Sequence, residues 1–146
     1  MLLPITLTIA GAAALLHIWL SMRVSRLRRS LRISIGDDGN AAVRTRMRAH
    51  ANFAENVPIF LILLALLELA RGSSLWLWGA AILFILARIM HAFGMDRPAP
   101  NFLRIAGIAL SWLVLLGLAA WAITLPYLER QQRPGVQLTP VRTTQI

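Results

Sequence analysis

The sequence predicts an all-α integral membrane protein, a four-transmembrane-helix bundle with up-down connectivity. Three observations lead there. Hydrophobic residues make up 58% of the 146 positions and mean hydropathy is +0.65. Charged residues make up only 14%, about half the share of an ordinary soluble domain. Four apolar runs of near-bilayer length follow one another, separated by short segments that carry most of the charge. The length suits one domain, with a membrane domain over residues 1–128 and a polar tail over 129–146, "ERQQRPGVQLTPVRTTQI", expected to be flexible.

Residues 1–22 carry no charge, and about twenty apolar residues cross a bilayer as a helix. A signal peptide is the competing reading, but it needs positive charge before its apolar stretch. Here Arg23, Arg26, Arg28, Arg29 and Arg32 come after it. The second run is shorter, with only twelve uncharged residues between Glu55 and Glu68. It spans only if the helix begins near Ala49 and carries Asn52 and Glu55 into the membrane edge. The third, residues 72–87, likewise needs Arg88 and His91 to complete it. The fourth, residues 105–128, is long enough by itself, with Pro126 and the tail expected to end it. "IGDDGN" at residues 35–40 reads as a loop with Gly and Asp turn chemistry.

All fifteen basic residues are arginine, and the net charge is +9. With the apolar runs removed, no soluble fold is left to present a basic patch to nucleic acid, so no nucleic acid partner is expected. An anionic lipid surface accounts better for the charge. The segment between the first two runs holds eight arginines and the next one holds only Arg71. The positive-inside rule therefore places the first and third loops in the cytoplasm and both termini on the periplasmic side. With no cysteine and no zinc motif, no metal is expected, and any thiol chemistry needs a thiol from the substrate.

The polar residues converge at one level. Helix 2 leaves the cytoplasmic side with Arg48, Asn52 and Glu55, helix 3 arrives there with Arg88 and His91, and helix 4 departs at Arg104. The spacing of Arg48, Asn52 and Glu55 is i, i+4, i+7, one stripe of a helix. A carboxylate at this depth is costly unless paired, and such residues mark function by default. Pairing of Glu55 with Arg48, Arg88 or Arg104 is expected, leaving an excess of cation that calls for an anion. The competing reading has these arginines snorkelling to lipid phosphates. Glu68 and Arg71 read as a surface ion pair, and His17 as an interhelical hydrogen-bonding group. Trp76, Trp78 and Trp121 fit an aromatic belt. Gly11, Gly107, Ser111 and Gly117 are expected to permit close helix packing.

"RAHANFAENVP" at residues 48–58 resembles the R-x-H/Q-x-N-x-x-E…P signature of the MAPEG proteins, membrane-associated proteins in eicosanoid and glutathione metabolism. The resemblance covers residues 1–125. It includes the R-x-x-H at Arg88 and His91, an arginine thirteen residues later at Arg104, and the "GDDGN" loop of a bacterial inner-membrane branch. It implies a homotrimer in the bacterial inner membrane, with glutathione bound between neighbouring protomers as co-substrate. By motif match, Arg28, Arg48, His50, Asn52, Glu55, Arg88 and His91 are implied to contact glutathione, and Arg104 to activate its thiol. Many enzymes of the family carry a tyrosine four residues after the position of His91; here that residue is Met95.

The function expected is that of a glutathione-dependent transferase or peroxidase acting on lipophilic electrophiles. The alternative is a non-catalytic membrane protein that binds glutathione, lipid or another amphiphilic anion. A proton-coupled exporter built on Glu55 is a weaker third reading, because neighbouring arginines would hold its carboxylate ionised.

Overall fold

Four helices account for nearly all of the computed structural model, which describes residues 2–132: α1 (Pro4–Leu31), α2 (Ala41–Arg71), α3 (Leu75–Met95) and α4 (Phe102–Gln132). All four are long and apolar enough to cross a membrane. They form the expected four-span up-down bundle, with α3 against α4 and α1 against α2 as the most extensive contacts.

Local chemistry explains where each helix starts and stops. Pro4 opens α1, where its missing N–H is not needed. Arg32 then closes it in the left-handed region at φ 57°, and Ile33 N donates back to Arg28 O at 2.9 Å. The side chain of Asn40 caps α2 by accepting from Ala42 N and Val43 N at 3.0 and 3.1 Å. Ser74 caps α3 and Asn101 caps the start of α4 in the same manner. The loop between α1 and α2 has the turn chemistry its residues suggested, with Gly36, Asp38 and Gly39 all at positive φ. Arg28 ties this loop down, donating from Nε and a terminal nitrogen to Gly36 O at 2.9 and 2.7 Å. Asp37 accepts from Arg44 and from Gly39 N, and these bonds hold its carboxyl below the usual carboxylate range.

Several boundaries differ from those expected. Helix α2 begins at Ala41, two turns before Ala49, and α1 runs on to Leu31. All but Arg32 of the eight arginines expected in the first loop therefore sit on helical extensions. Arginine is a good helix former, so the ends are set by Arg32 and Asn40 rather than by the onset of charge. Pro126 does not stop α4, which continues to Gln132. One lost backbone bond is tolerable in a membrane helix that is otherwise intact. The remainder of the proposed tail, residues 133–146, lies outside the described residues.

Glu68 corrects the expected surface pair with Arg71. It is only 1% exposed. Its carboxylate accepts from Ile5 N at 3.0 Å, Thr6 N at 2.8 Å, Thr6 Oγ1 at 2.7 Å and Ser73 Oγ at 2.8 Å. It thus caps the N-terminus of α1 from another helix, supplying the acceptors and the negative charge that a helix start favours.

Between the two ends lies a core centred on Phe60 and Phe84, whose rings stack with centroids 3.8 Å apart, together with Leu20, Leu64, Leu77 and Leu118. Large apolar side chains such as Leu15, Ile62, Trp112 and Leu116 face outward, as a lipid-exposed surface requires. At the arginine-rich end, Asp96 pairs with Arg23 and, at 3.6 Å, with Arg46. The Arg23 guanidinium also lies 4.5 Å from the Trp19 ring, so this end of α1, α2 and α3 is clasped together.

Glycine matters most where α3 meets α4. A Cβ on Gly107 would lie 2.6 Å from His91 N, and one on Gly94 would overlap the backbone of Arg104. Gly11 and Gly117, also expected at tight crossings, have open space around them. The close approach is confined to the end of the bundle that holds His91 and Arg104.

Candidate functional site: a cationic cavity at the arginine-rich end

The approach of α3 to α4 brings polar side chains from three helices to one cavity of about 400 Å³. Arg48, Asn52 and Glu55 line it from α2, His91 and Met95 from α3, and Arg104, Ile105 and Ile108 from α4. The i, i+4, i+7 stripe on α2 thus faces one space. Arg104 sits on the first turn of α4 because Gly94 and Gly107 let that turn settle against α3.

His91 is 3% exposed, and its Nδ1 lies 3.2 Å from Arg104 O. A carbonyl only accepts, so Nδ1 carries the proton and Nε2 of the neutral ring is left as an acceptor. The same bond joins the two helices that hold His91 and Arg104. Behind the cavity, Arg88 is 1% exposed. It donates to Asn52 Oδ1 and, at 3.3 Å, to Ser111 Oγ, which donates in turn to Gly107 O at 2.7 Å.

Not every residue implied by the resemblance lies in this cavity. Arg88 does not line it and reaches it only through Asn52. His50 follows Arg48 by two residues, about 200° around the helix, and meets His17 instead, with Nε2 to Nε2 at 3.4 Å. That contact fulfils the interhelical role expected of His17. Arg28 is engaged with the α1–α2 loop. The expected ion pair of Glu55 is absent: among the described residues it has no salt bridge with Arg48, Arg88 or Arg104. Glu55 is exposed on α2, while Arg88 is occupied by Asn52.

Two contributors escaped the sequence reading. Gly94 had no local signal of its role. Asp96, two residues from it, anchors the end of α3 to Arg23 and Arg46; an acid among so many arginines was the available hint. An apolar groove of about 640 Å³ adjoins this end, lined by Ile59 and Leu63 of α2 and by Trp112 and Leu116, among others, of α4. Ile59 follows Glu55 by one helical turn, so polar cavity and apolar groove share one side of the bundle. The arrangement offers cationic and hydrogen-bonding groups to an anion, next to a surface for something lipophilic.

The chain is similar to Inner membrane protein YecN of Escherichia coli strain K12, with 32% identity over 108 residues, 73% of this chain and 81% of the relative. The same protein of strain O6:H1 matches to the same extent. The profile of the MAPEG family matches residues 6–124, a span that covers most of each of the four helices and every residue lining the cavity. This four-span membrane protein belongs to the MAPEG family.

Proposed function

We propose that the cavity binds glutathione and presents its thiolate to lipophilic electrophiles held in the adjoining groove. The observation that carries this reading is the donor set on the cavity walls, Arg48, Arg104 and Asn52, with His91 Nε2 and the single carboxylate of Glu55 as acceptors. Glutathione has two carboxylates that arginines grip strongly and one ammonium group suited to Glu55. A guanidinium beside its sulfur lowers the thiol pKa and raises the nucleophilic fraction, and Arg104 is assigned that role. In transfer, the sulfur forms a bond to carbon as the leaving group departs. In peroxide reduction, two glutathiones are oxidised to the disulfide while the peroxide becomes alcohol and water.

A homotrimer would close the exposed side of the cavity and give Glu55 its partners, and native mass spectrometry in mild detergent reads that state directly. The arginine-rich end faces the cytoplasm in this proposal, with the protein in the inner membrane, as the name of its relative states for that protein.

Calorimetric titration of the full chain with glutathione tests the reading. Binding at millimolar or lower concentration, together with ultraviolet thiolate absorbance in the complex, is expected. No heat at millimolar glutathione would overturn it. One observation favours a second reading. Met95 lines the cavity at the position where many family enzymes have tyrosine, so no hydroxyl is present there to assist the sulfur. Binding without thiolate absorbance would mark the protein as a non-catalytic module for glutathione or another amphiphilic anion.

A further inference from the structure

Arg88 is an unusual group for this environment. It is 1% exposed inside a membrane bundle, and no carboxylate lies within ion-pair distance of it among the described residues. Its Nε is buried and has no hydrogen-bond partner among the described residues. Its terminal nitrogens meet two neutral acceptors, Asn52 Oδ1 and Ser111 Oγ. A buried cation without a counter-charge is costly, and two neutral hydrogen bonds offset only part of that cost.

The pairing also has a directional consequence. A guanidinium has donors and no acceptor, so only the oxygen of the Asn52 amide can face Arg88. The amide nitrogen is then the other end of the group. Asn52 lines the cavity, and its Nδ2 donates no hydrogen bond among the described residues. The Ser111 hydroxyl spends its proton on Gly107 O, so it can only accept from Arg88. Every member of the chain is oriented by the next.

We propose that Arg88 is a positioning residue that acts through Asn52. It fixes the amide with an N–H donor toward the cavity, and the anion bound there supplies the counter-charge that Arg88 lacks. The inference rests on the proposed anion-binding function and deepens it. The ligand group at Asn52 is an oxygen acceptor, a carboxylate or a carbonyl, and an ammonium or hydroxyl proton is refused at that point. The occupant's amine is left to Glu55, on the next turn of the same stripe.

The test compares Asn52→Asp with Asn52→Ala in the full chain, using thermal midpoint without ligand and calorimetry with glutathione. Aspartate places a carboxylate where the Asn52 oxygen meets Arg88, so the midpoint should rise above those of wild type and Asn52→Ala by about 3 °C or more. The same change occupies the counter-charge and removes the donor, so glutathione affinity should fall at least about tenfold. The midpoint rise that glutathione produces in wild type should disappear. In an Arg88→Met background, Asn52→Asp should lower the midpoint instead. A midpoint for Asn52→Asp at or below that of Asn52→Ala overturns the inference, as does unchanged glutathione affinity. Absence of glutathione binding to wild type overturns the proposed ligand, and the order of the midpoints then decides the Arg88 arrangement by itself.

Discussion

The bundle holds two carboxylates on α2, one near the middle of the helix and one in its last turn, and their surroundings differ completely. Glu68 is buried and accepts four hydrogen bonds that join α1, α2 and the α2–α3 loop. Glu55 is exposed, lines a cavity with two arginines and has no ion pair among the described residues. A carboxylate whose acceptor capacity is filled by its own chain stabilises the fold. One left open beside cations is free to meet a ligand or a neighbouring copy. Stability and recognition are thus separated along a single helix, and substitutions should separate them too.

The largest effect is expected at the satisfied carboxylate. Glu68→Ala leaves the first turn of α1 and two hydroxyls without an acceptor, and should destabilise by about 3 kcal/mol or more. Thermal unfolding in detergent measures this. Glu55→Ala in the same assay should leave the midpoint within about 2 °C of wild type, since surface charge changes away from such networks are worth little. A large loss of stability from Glu55→Ala would show that Glu55, like Glu68, holds the fold together.

Next come effects on binding and chemistry around the open carboxylate. Glu55→Ala should weaken glutathione binding by about tenfold or more, the scale of one lost charged hydrogen bond. Arg104→Ala should leave binding of an S-alkylated glutathione within about threefold while reducing conjugation by about 100-fold, the size of a lost electrostatic contact to a reacting centre. Equal loss of both in Arg104→Ala would place that arginine in binding alone.

A smaller effect should follow from helix approach. Gly107→Ala sets a methyl 2.6 Å from His91 N, and forced overpacking of this kind costs about 1–3 kcal/mol. It should also weaken glutathione binding, because it drives α3 from α4 where the cavity forms. Gly117→Ala, in open space on the same helix, serves as the control and should change neither reading.

The smallest effect belongs to the exposed loop. The folded-state pKa of Asp37 lies below its unfolded value, through its hydrogen bonds to Arg44 and Gly39 N. Its contribution is therefore present above the unfolded value of about 3.9 and is lost as pH falls through the folded one. Midpoints of wild type and Asp37→Asn should differ slightly at neutral pH and converge below about pH 4. A gap that stays constant into acid would assign the effect to something other than ionisation.

Much of this was legible in the sequence because it depends on neighbours along the chain. Four apolar runs mean four spans, Gly and Asp together at residues 35–40 mean a turn, and a 4-then-3 spacing puts Arg48, Asn52 and Glu55 on one stripe whatever surrounds them. Sequence spacing could not say which stripe faces which helix. His50 was grouped with Arg48 and Asn52 by motif, yet rotation carries it to His17. Arg88 and His91 share a face, but the longer side chain of Arg88 ends among Asn52 and Ser111 while His91 borders the cavity.

The class of the protein, the number of spans, the level at which the polar groups meet and the family can all be read from the order of residues alone. These follow from hydrophobic run length, charge distribution and local spacing, all properties of the chain read in order. Helix packing alone shows that Glu68 serves α1 across 62 and 63 residues of separation, that Gly94 and Gly107 bring Arg104 against His91, and that Arg88 stands behind the cavity without a counter-charge among the described residues. Each of these depends on helix rotation and interaxial distance. Those are set by side-chain packing between segments remote in sequence, which no local pattern encodes.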